Sequence, residues 1–429
     1  MSQLLDNILS RSNMLDAYNQ VRANKGSAGI DGVTIDEIDD YLRKHWRSTK
    51  ELIKQRKYKP QPVLRVEIPK PNGGVRQLGI PTVMDRMIQQ ALVQVISPIC
   101  EPYFSEKSYG FSPNRSCEQA IIQLLEYVND GYEWIVDIDL EKFLDTVPQD
   151  RLMSLVHNII QDGDTEPLIR KYLHSGVVIN GQRYKKLVGT PQGGNISLLL
   201  SNIMLNELDK ELANRGLRFV RYVDDCVITV GSEAVAKCVM HSISRYIEKR
   251  LGLKVNMTKT KTKTKIVKPS KLKYLGFGFW KSSEGWKSRP HQDSVQSFKR
   301  KLKKLTARKW SIDLDNRIER INWIIRGWIN YFSMTNMKSV MESIDERLRT
   351  RIRVIIWKQW KKKSRRLWGL LKLGVPEWIA DKVSGWGDHY QLVTQRSVLK
   401  RAISKPVLAK RGLVSCLDYY LKRHALKVS

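Results

Sequence analysis

The chain has 429 residues, 41% hydrophobic and 28% charged, a globular composition that argues against a disordered or collagen-like chain and allows roughly two to four domains. Lys and Arg outnumber Asp and Glu by 75 to 43, a net +32, and residues 291–429 alone hold 32 basic against 11 acidic residues. That last third points to a polyanionic partner, because each phosphate neutralised releases condensed counterions. No run of about 18 uncharged apolar residues offers a membrane span, and the N-terminus lacks a signal-peptide pattern. The five cysteines are scattered without CxxC spacing, which argues against a disulfide framework and for a reducing, cytoplasmic compartment.

Residues 1–60 read as helices. Leu4, Leu5, Ile8, Met14, Leu15, Tyr18 and Val21 recur at helical spacing, and a glycine-bearing loop over 25–32 separates them from a second helix, Tyr41 to Arg56. Val63 to Ile68 alternates as a strand does. A turn over 69–74 returns the chain to a second strand, Val75 to Ile80, placing Lys70 at a hairpin tip and Arg76 on the returning strand. Pro81 to Ile96 reads as an amphipathic helix. Trp134 to Leu140 is a short apolar strand interrupted by Asp137 and Asp139. Phe219 to Val230 is two apolar strands flanking an Asp224-Asp225 turn, and Lys273 to Trp280 is a late strand or hairpin. Helical stretches are expected between these strands, so the fold class is α+β rather than a βαβ repeat.

After about residue 290 the strand signals fade. Three apolar helical faces follow: Val295 to Leu305, Ile318 to Phe332 and Met341 to Ile355. Lys361 to Arg366 then marks a boundary before a small basic helical module. Ten of the twelve tryptophans lie at or after Trp280, among basic residues. Rings so placed either stack on nucleic-acid bases or build core. Lys259 to Lys265 alternates Lys with Thr, the pattern of a lysine-protected edge strand.

The acids carry the chemistry. Asp139 at the end of one apolar strand and Asp224-Asp225 at a turn between two others would be crowded together, at a cost unless a cation neutralises them. Oxygen ligands of this kind suit Mg2+, and two divalent ions between such acids form the clamp for in-line nucleotidyl transfer. A lone Asp-Asp pair says little, but its neighbours stand in order: Lys70 and Arg76, then Asp139, then Thr190-Pro-Gln-Gly-Gly194, then Tyr222-Val-Asp-Asp225, then Leu251 to Lys259, then Tyr274-Leu-Gly-Phe-Gly.

This order resembles the reverse transcriptases, and within them the group II intron-encoded reverse transcriptases with maturase activity. Arg65 to Arg76, Gly79 to Gln90, Ser108 to Arg115, Asp137 to Phe143 and, in the basic tail, Arg326-Gly-Trp-Ile-Asn-Tyr-Phe332 carry the likeness. It implies a right-hand polymerase. The N-terminal extension would occupy 1–60, fingers and palm 61–289, a helical thumb 290–360 and a basic DNA-binding module 361–429.

The resemblance further implies that Asp139, Asp224, Asp225 and the Leu140 carbonyl hold Mg2+, with Mn2+ as the alternative ion. Lys70 and Arg76 would meet the incoming triphosphate, while Leu144, Gln192 and Gly193 shape the nucleotide pocket. Lys259 is a candidate acid for the leaving pyrophosphate. Arg115, Lys299, Arg300, Lys361, Lys362, Lys363, Arg365 and Arg366 are candidate nucleic-acid contacts. The expected partners are an RNA template, a DNA primer or target, dNTPs and the protein's own intron RNA. The likeness to compact class C proteins implies a bacterial, nucleic-acid-associated protein without an endonuclease module. Alternatives are a domesticated relative in repair or phage defence, and a splicing cofactor with a vestigial polymerase.

Departures gather around the acids. Val223 stands where Ala is usual and, being β-branched, is expected to fit a strand. Leu144 replaces the aromatic ring that usually excludes a ribose 2′-hydroxyl. Ile196 to Leu200 lacks the usual Pro, and Pro148-Gln149-Asp150 replaces Asn-His-Asp.

Overall fold

The computed structural model describes residues 2–69, 75–185, 188–190, 193–256, 264–387 and 389–428, of which Arg76 and Val428 through their backbone alone. Two serine hydroxyls open the first helices. Leu5 N–H donates to Ser2 Oγ at the start of α1 (Gln3–Ile8), and Asn13 N–H to Ser10 Oγ at the start of α2 (Arg11–Ala23). Each bond satisfies an N–H that the first helical turn leaves without a partner. α3 (Ile38–Lys54) follows the expected loop.

β1 (Val63–Pro69) and β2 (Val75–Ile80) pair antiparallel as the alternation predicts. The turn carrying Lys70 lies outside the described residues. α4 (Val83–Cys100) is capped by Thr82, and the buried Asp85 in its first turn accepts from Tyr58 Oη at 2.7 Å and Gln61 N at 3.1 Å. That carboxylate ties the segment entering β1 to the start of α4. α2 packs along α4, where Asn13 Nδ2 donates to Ala91 O at 3.1 Å.

Next come α5 (Cys117–Asn129), β3 (Trp134–Ile138), α6 (Phe143–Thr146), α7 (Gln149–Ile160) and α8 (Thr165–Leu173). A short hairpin then departs from the helical expectation. β4 (Val177–Ile179) and β5 (Gln182–Tyr184) flank Asn180-Gly181, both at positive φ, the two-residue turn whose twist suits a hairpin. β4 also pairs parallel with β1, giving the order β2-β1-β4-β5. The exposed β5 has no apolar alternation to betray it.

α9 (Asn195–Asn214), β6 (Arg218–Tyr222), β7 (Asp225–Val230), α10 (Glu233–Tyr246) and β8 (Lys265–Val267) follow. The second sheet runs β6-β7-β3-β8, antiparallel throughout. Val136, Ile138, Cys226 and Ile228 share a buried core with Leu200, Ile203 and Met204 of α9 and Ile243 of α10. Burying each such aliphatic side chain stabilises the fold by about 1.5–3 kcal/mol.

The chain divides into two compact units, Met1–Lys268 and Pro269–Ser429. The second begins with the hairpin β9 (Phe277–Ser282) and β10 (Gly285–Pro290), ahead of the boundary at 290 expected for the thumb. Its Phe277 ring lies 4.8 Å from Phe332 and 5.6 Å from Tyr331, so the hairpin packs with the helices that follow it. These are α11 (Gln292–Leu305), α12 (Leu314–Phe332) and α13 (Lys338–Gln359).

The last residues form α14 (Lys363–Lys372), α15 (Glu377–Ser384), α16 (Tyr390–Gln395), α17 (Ser397–Ala402), α18 (Lys405–Lys410) and α19 (Cys416–Val428). α13 ends at Gln359 and α14 begins at Lys363, and α19 packs on α12 and α13 within the same unit. Buried Asp345 of α13 accepts from Cys416 N at 2.7 Å and Leu417 N at 3.2 Å, capping α19 from a neighbouring helix. Among the described residues, no helix is long and apolar enough to cross a membrane.

Candidate active site

The antiparallel register brings the acids together. The β3–β7 ladder ends at Ile138 opposite Cys226. Asp139 follows Ile138 and Asp225 precedes Cys226, so the two acids stand at adjoining ends of β3 and β7, close enough for Asp139 to raise the Asp225 pKa. Asp137 lies two residues back on the same side of β3. Tyr222 pairs with Asp225, so Val223 and Asp224 are the two residues of a tight turn. This overturns the expectation that Val223 sits comfortably in a strand. Its φ is +59°, a conformation that disfavours β-branched side chains and costs on the order of 1–3 kcal/mol.

The surrounding segments fix the geometry. Asn256 Nδ2 donates to Asp139 Oδ2 at 2.8 Å, and Asn256 N to Asp139 O at 2.9 Å. Thr264 Oγ1 receives the Asp139 N–H at 3.0 Å. Lys265 Nζ stands 3.5 Å from Asp137 Oδ2. Asp225 opens to solvent on one side, yet its carboxyl is pushed up to about 7, first by desolvation and then by Asp224, Asp137 and Asp139. Among the described residues, no three His, Cys, Asp or Glu side chains close into a preformed metal cage. The acids form an open array of hard oxygen donors, the kind Mg2+ accepts while keeping water and phosphate oxygens in its shell. The charge crowding at Asp225 is what a divalent cation would relieve, so the donor set fits such an ion.

Leu140 bridges to Val255 next to Asp139. Leu144 is half-buried in α6, and its carbonyl accepts Thr190 N–H at 2.6 Å. Gly193, at φ +92°, packs on β2 so tightly that an added Cβ would lie 2.0 Å from Gly79 O. Its lack of a side chain serves this close approach to protein backbone. Lys70, Gln192, Lys259 and the Arg76 side chain lie outside the described residues; the Arg76 backbone pairs with Ile68.

Two of the expected nucleic-acid contacts are internal braces. Arg115 donates to Ser105 O at 2.5 Å and Ser108 O at 2.7 Å and lies 3.3 Å from Glu101. Arg366 is buried, donates to Trp360 O at 3.0 Å and Trp386 O at 2.6 Å, and stacks over Trp357. A guanidinium so engaged has its planar fork turned inward. Lys361 and Lys362 are exposed, Lys363 pairs with Asp381 at 3.0 Å, and Arg365 lies over the exposed Trp368.

In the second unit, Lys299 and Arg300 line a cleft of about 680 Å³ with Lys303, Arg347, Arg351 and Lys400, where Glu346 is the acid. The tryptophans divide by burial. Trp357 is core, while Trp323 and Trp378 are 62% and 75% exposed.

Phe111, inside the Ser108 to Arg115 segment, is 60% exposed at positive φ, with its ring 6.4 Å from Tyr222. Asn256 is the amide partner of Asp139, a role not expected from the sequence. The signal for Asn256 was available, as the polar residue ending the Leu251 to Asn256 run.

An antiparallel sheet with acids at adjoining ends of its central strands, backed by helices, is a polymerase palm. Residues 68–279 match the family model of reverse transcriptase (RNA-dependent DNA polymerase), and residues 295–374 that of the group II intron, maturase-specific domain. The chain belongs to the group II intron-type reverse transcriptases.

It is 33% identical over 270 residues to Protein YkfC of Escherichia coli, covering 54% of this chain and 71% of that protein. It is 37% identical over 206 residues to Group II intron-encoded protein LtrA of Lactococcus lactis, covering 48% and 34%. It is 30% identical over 340 residues to the putative COX1/OXI3 intron 2 protein of Saccharomyces cerevisiae, covering 65% and 39%. The chain thus spans little more than a third of two of these relatives. Among solved structures, a telomerase chain from Candida albicans gives a TM-score of 0.42 at 14% identity, covering 73% of this chain and 63% of that one.

Proposed function

We propose that this chain extends a DNA primer on an RNA template by nucleotidyl transfer, and binds intron RNA to assist splicing and retrohoming. The observation that carries the catalytic part is the convergence of Asp139, Asp224 and Asp225 at the adjoining ends of β3 and β7, where burial and the neighbouring acids push the Asp225 carboxyl up. Asp139, Asp224, Asp225 and the Leu140 carbonyl would hold Mg2+. When bound, the ion would neutralise charge at the attacking and leaving oxygens. Asn256 holds the Asp139 carboxylate by its amide N–H. Lys70 and Arg76 are the candidate cations for the triphosphate, and Lys259 for the leaving pyrophosphate. The cationic cleft of the second unit and the exposed Lys361 and Lys362 supply charge for a phosphate backbone. The bacterial cytoplasm is the compartment consistent with the free thiols and the E. coli and L. lactis relatives.

The test is primer extension on an RNA template, with RNA binding measured on the same preparation. Asp224→Ala should lose at least about a hundredfold in extension, because the divalent clamp loses a ligand, and should bind RNA as before. Substantial extension by that variant removes Asp224 from the reaction. Intron RNA that splices equally with and without the protein removes the maturase role.

A further inference from the structure

Beneath the Val223-Asp224 turn lies a buried polar network. Arg221 and Asp209 are both fully buried. Arg221 Nε donates to Asp209 Oδ1 at 2.7 Å and Nη2 to Asp209 Oδ2 at 2.6 Å, a bidentate pair. Nη1 reaches the other way, to Val223 O at 2.9 Å and Asn202 Oδ1 at 3.1 Å. Asn202, itself buried, donates from Nδ2 to Gly110 O at 2.8 Å. Gly110 in turn lies on the turn: an added Cβ would stand 2.7 Å from Val223 N.

The Val223 carbonyl belongs to the peptide that joins Val223 to Asp224. A donor locked onto that oxygen sets the plane of the peptide, and with it the direction in which Asp224 leaves the turn. The turn needs such a hold, since Val223 sits at φ +59° and strain of this kind persists only where the surroundings over-determine it. The hold also has to be rigid. The bidentate geometry of a guanidinium on a carboxylate fixes the plane of Arg221, which a lysine ammonium cannot do.

We infer that Arg221, oriented by Asp209 and Asn202, is a positioning residue that clamps the Val223-Asp224 turn in the conformation the reaction uses. The inference rests on the reading of Asp224 as a reacting-site acid. The clamp acts through Asp224 and touches no substrate.

The experiment compares Arg221→Lys and Asn202→Leu with the unaltered full chain. Arg221→Lys keeps a charge beside Asp209 but loses the fork; Asn202→Leu keeps volume and removes both amide bonds. Single-nucleotide addition should slow by about tenfold to a hundredfold in kcat, the scale of a misplaced catalytic group, while dNTP KM and template–primer Kd stay within about twofold, a change of about 0.4 kcal/mol. Hydrogen exchange at residues 222–225 should quicken while that of 134–138 stays slow.

A general loss of packing would raise exchange in both segments and lower the melting temperature together, and that outcome overturns the inference. So does a folded variant with unchanged kcat and unchanged exchange at the turn. Should neither variant fold, the unaltered protein still decides. Its amides at Tyr222 and Asp225, the pair that closes the turn, must exchange as slowly as those of the strands beside them, and fast exchange there overturns the clamp. An unaltered chain that fails to extend any primer counts against the catalytic reading alone, because the exchange measurement needs no turnover.

Discussion

Asp225 is a carboxyl whose environment favours the proton, and this gives its ionisation a cost that can be measured. Its pKa rises from 3.8 to about 7 on folding. Between those values the folded chain holds a proton that the unfolded chain has released, so stability falls as pH rises and levels above about 7. Asp225→Asn removes the titration. In chelator, the variant should melt at a higher temperature than the parent at pH 8, with a smaller gap at pH 5. A gap that is equal at both pH values, or reversed, refutes the raised pKa.

By the resemblance to the reverse transcriptases, Leu144 stands at the position of an aromatic gate. Its carbonyl is pinned by Thr190 N–H at 2.6 Å, so the backbone is not free to bring a shorter side chain closer. Leu144→Phe should therefore sharpen the preference for dNTP over rNTP by about tenfold, a difference of about 1.4 kcal/mol. Unchanged discrimination in competition assays places the gate elsewhere. At this scale the sequence revealed acids more readily than braces. Asp139, Asp224 and Asp225 could be read because acids at the ends of apolar strands are conspicuous. Arg221, Arg115 and Arg366 could not, because a buried arginine is written with the same letter as a solvated one.

At the scale of elements, alternation and helical spacing located β1, β2, β3, β6, β7 and the three long helices α11 to α13. The β4–β5 hairpin escaped because three apolar residues followed by an exposed polar strand leave no period to detect, although Asn180-Gly181 between them is a hairpin turn by its chemistry. Helix α19 depends on a partner outside its own sequence. Asp345 of α13 accepts its first N–H groups and the Ser415 hydroxyl, a cap that no local motif announces. Asp345→Ala should cost about 2 kcal/mol or more, the loss of a cap plus the desolvation of the groups left behind. A thermal melt that matches the parent shows that α19 holds its end by itself.

For the molecule as a whole, the charge gradient along the chain is its broadest trait. Of the lysine run, Lys361 and Lys362 lie between α13 and α14, and α19 folds back on α12 and α13 within one unit. Deleting residues 361–429 would therefore uncover apolar faces as well as remove charge. Substituting the cleft cations is the cleaner probe. Lys299→Ala, Arg300→Ala and Lys400→Ala together should flatten the plot of log affinity against log salt, by roughly 0.7–0.9 for each phosphate that is no longer neutralised. A slope unaltered by the triple change would leave the cleft merely solvated.

The palm sheet also sets a timetable for synthesis. β3 lies between β7 and β8, and its pairs run from Ile138 to Cys226 and from Ile135 to Val267. At roughly 5–20 residues per second on a ribosome, β3 emerges some ~4–18 seconds before β7 and roughly 7–26 seconds before β8. During that wait its backbone donors and acceptors have no sheet to join. The two carboxylates that finally stand at adjoining strand ends, Asp139 and Asp225, are kept apart in the nascent chain until most of the first unit has been translated. Their repulsion is thus met only once the sheet that compensates for it can close, and a polysome carrying a chain stalled before residue 225 should present β3 as an accessible strand to chaperones and proteases.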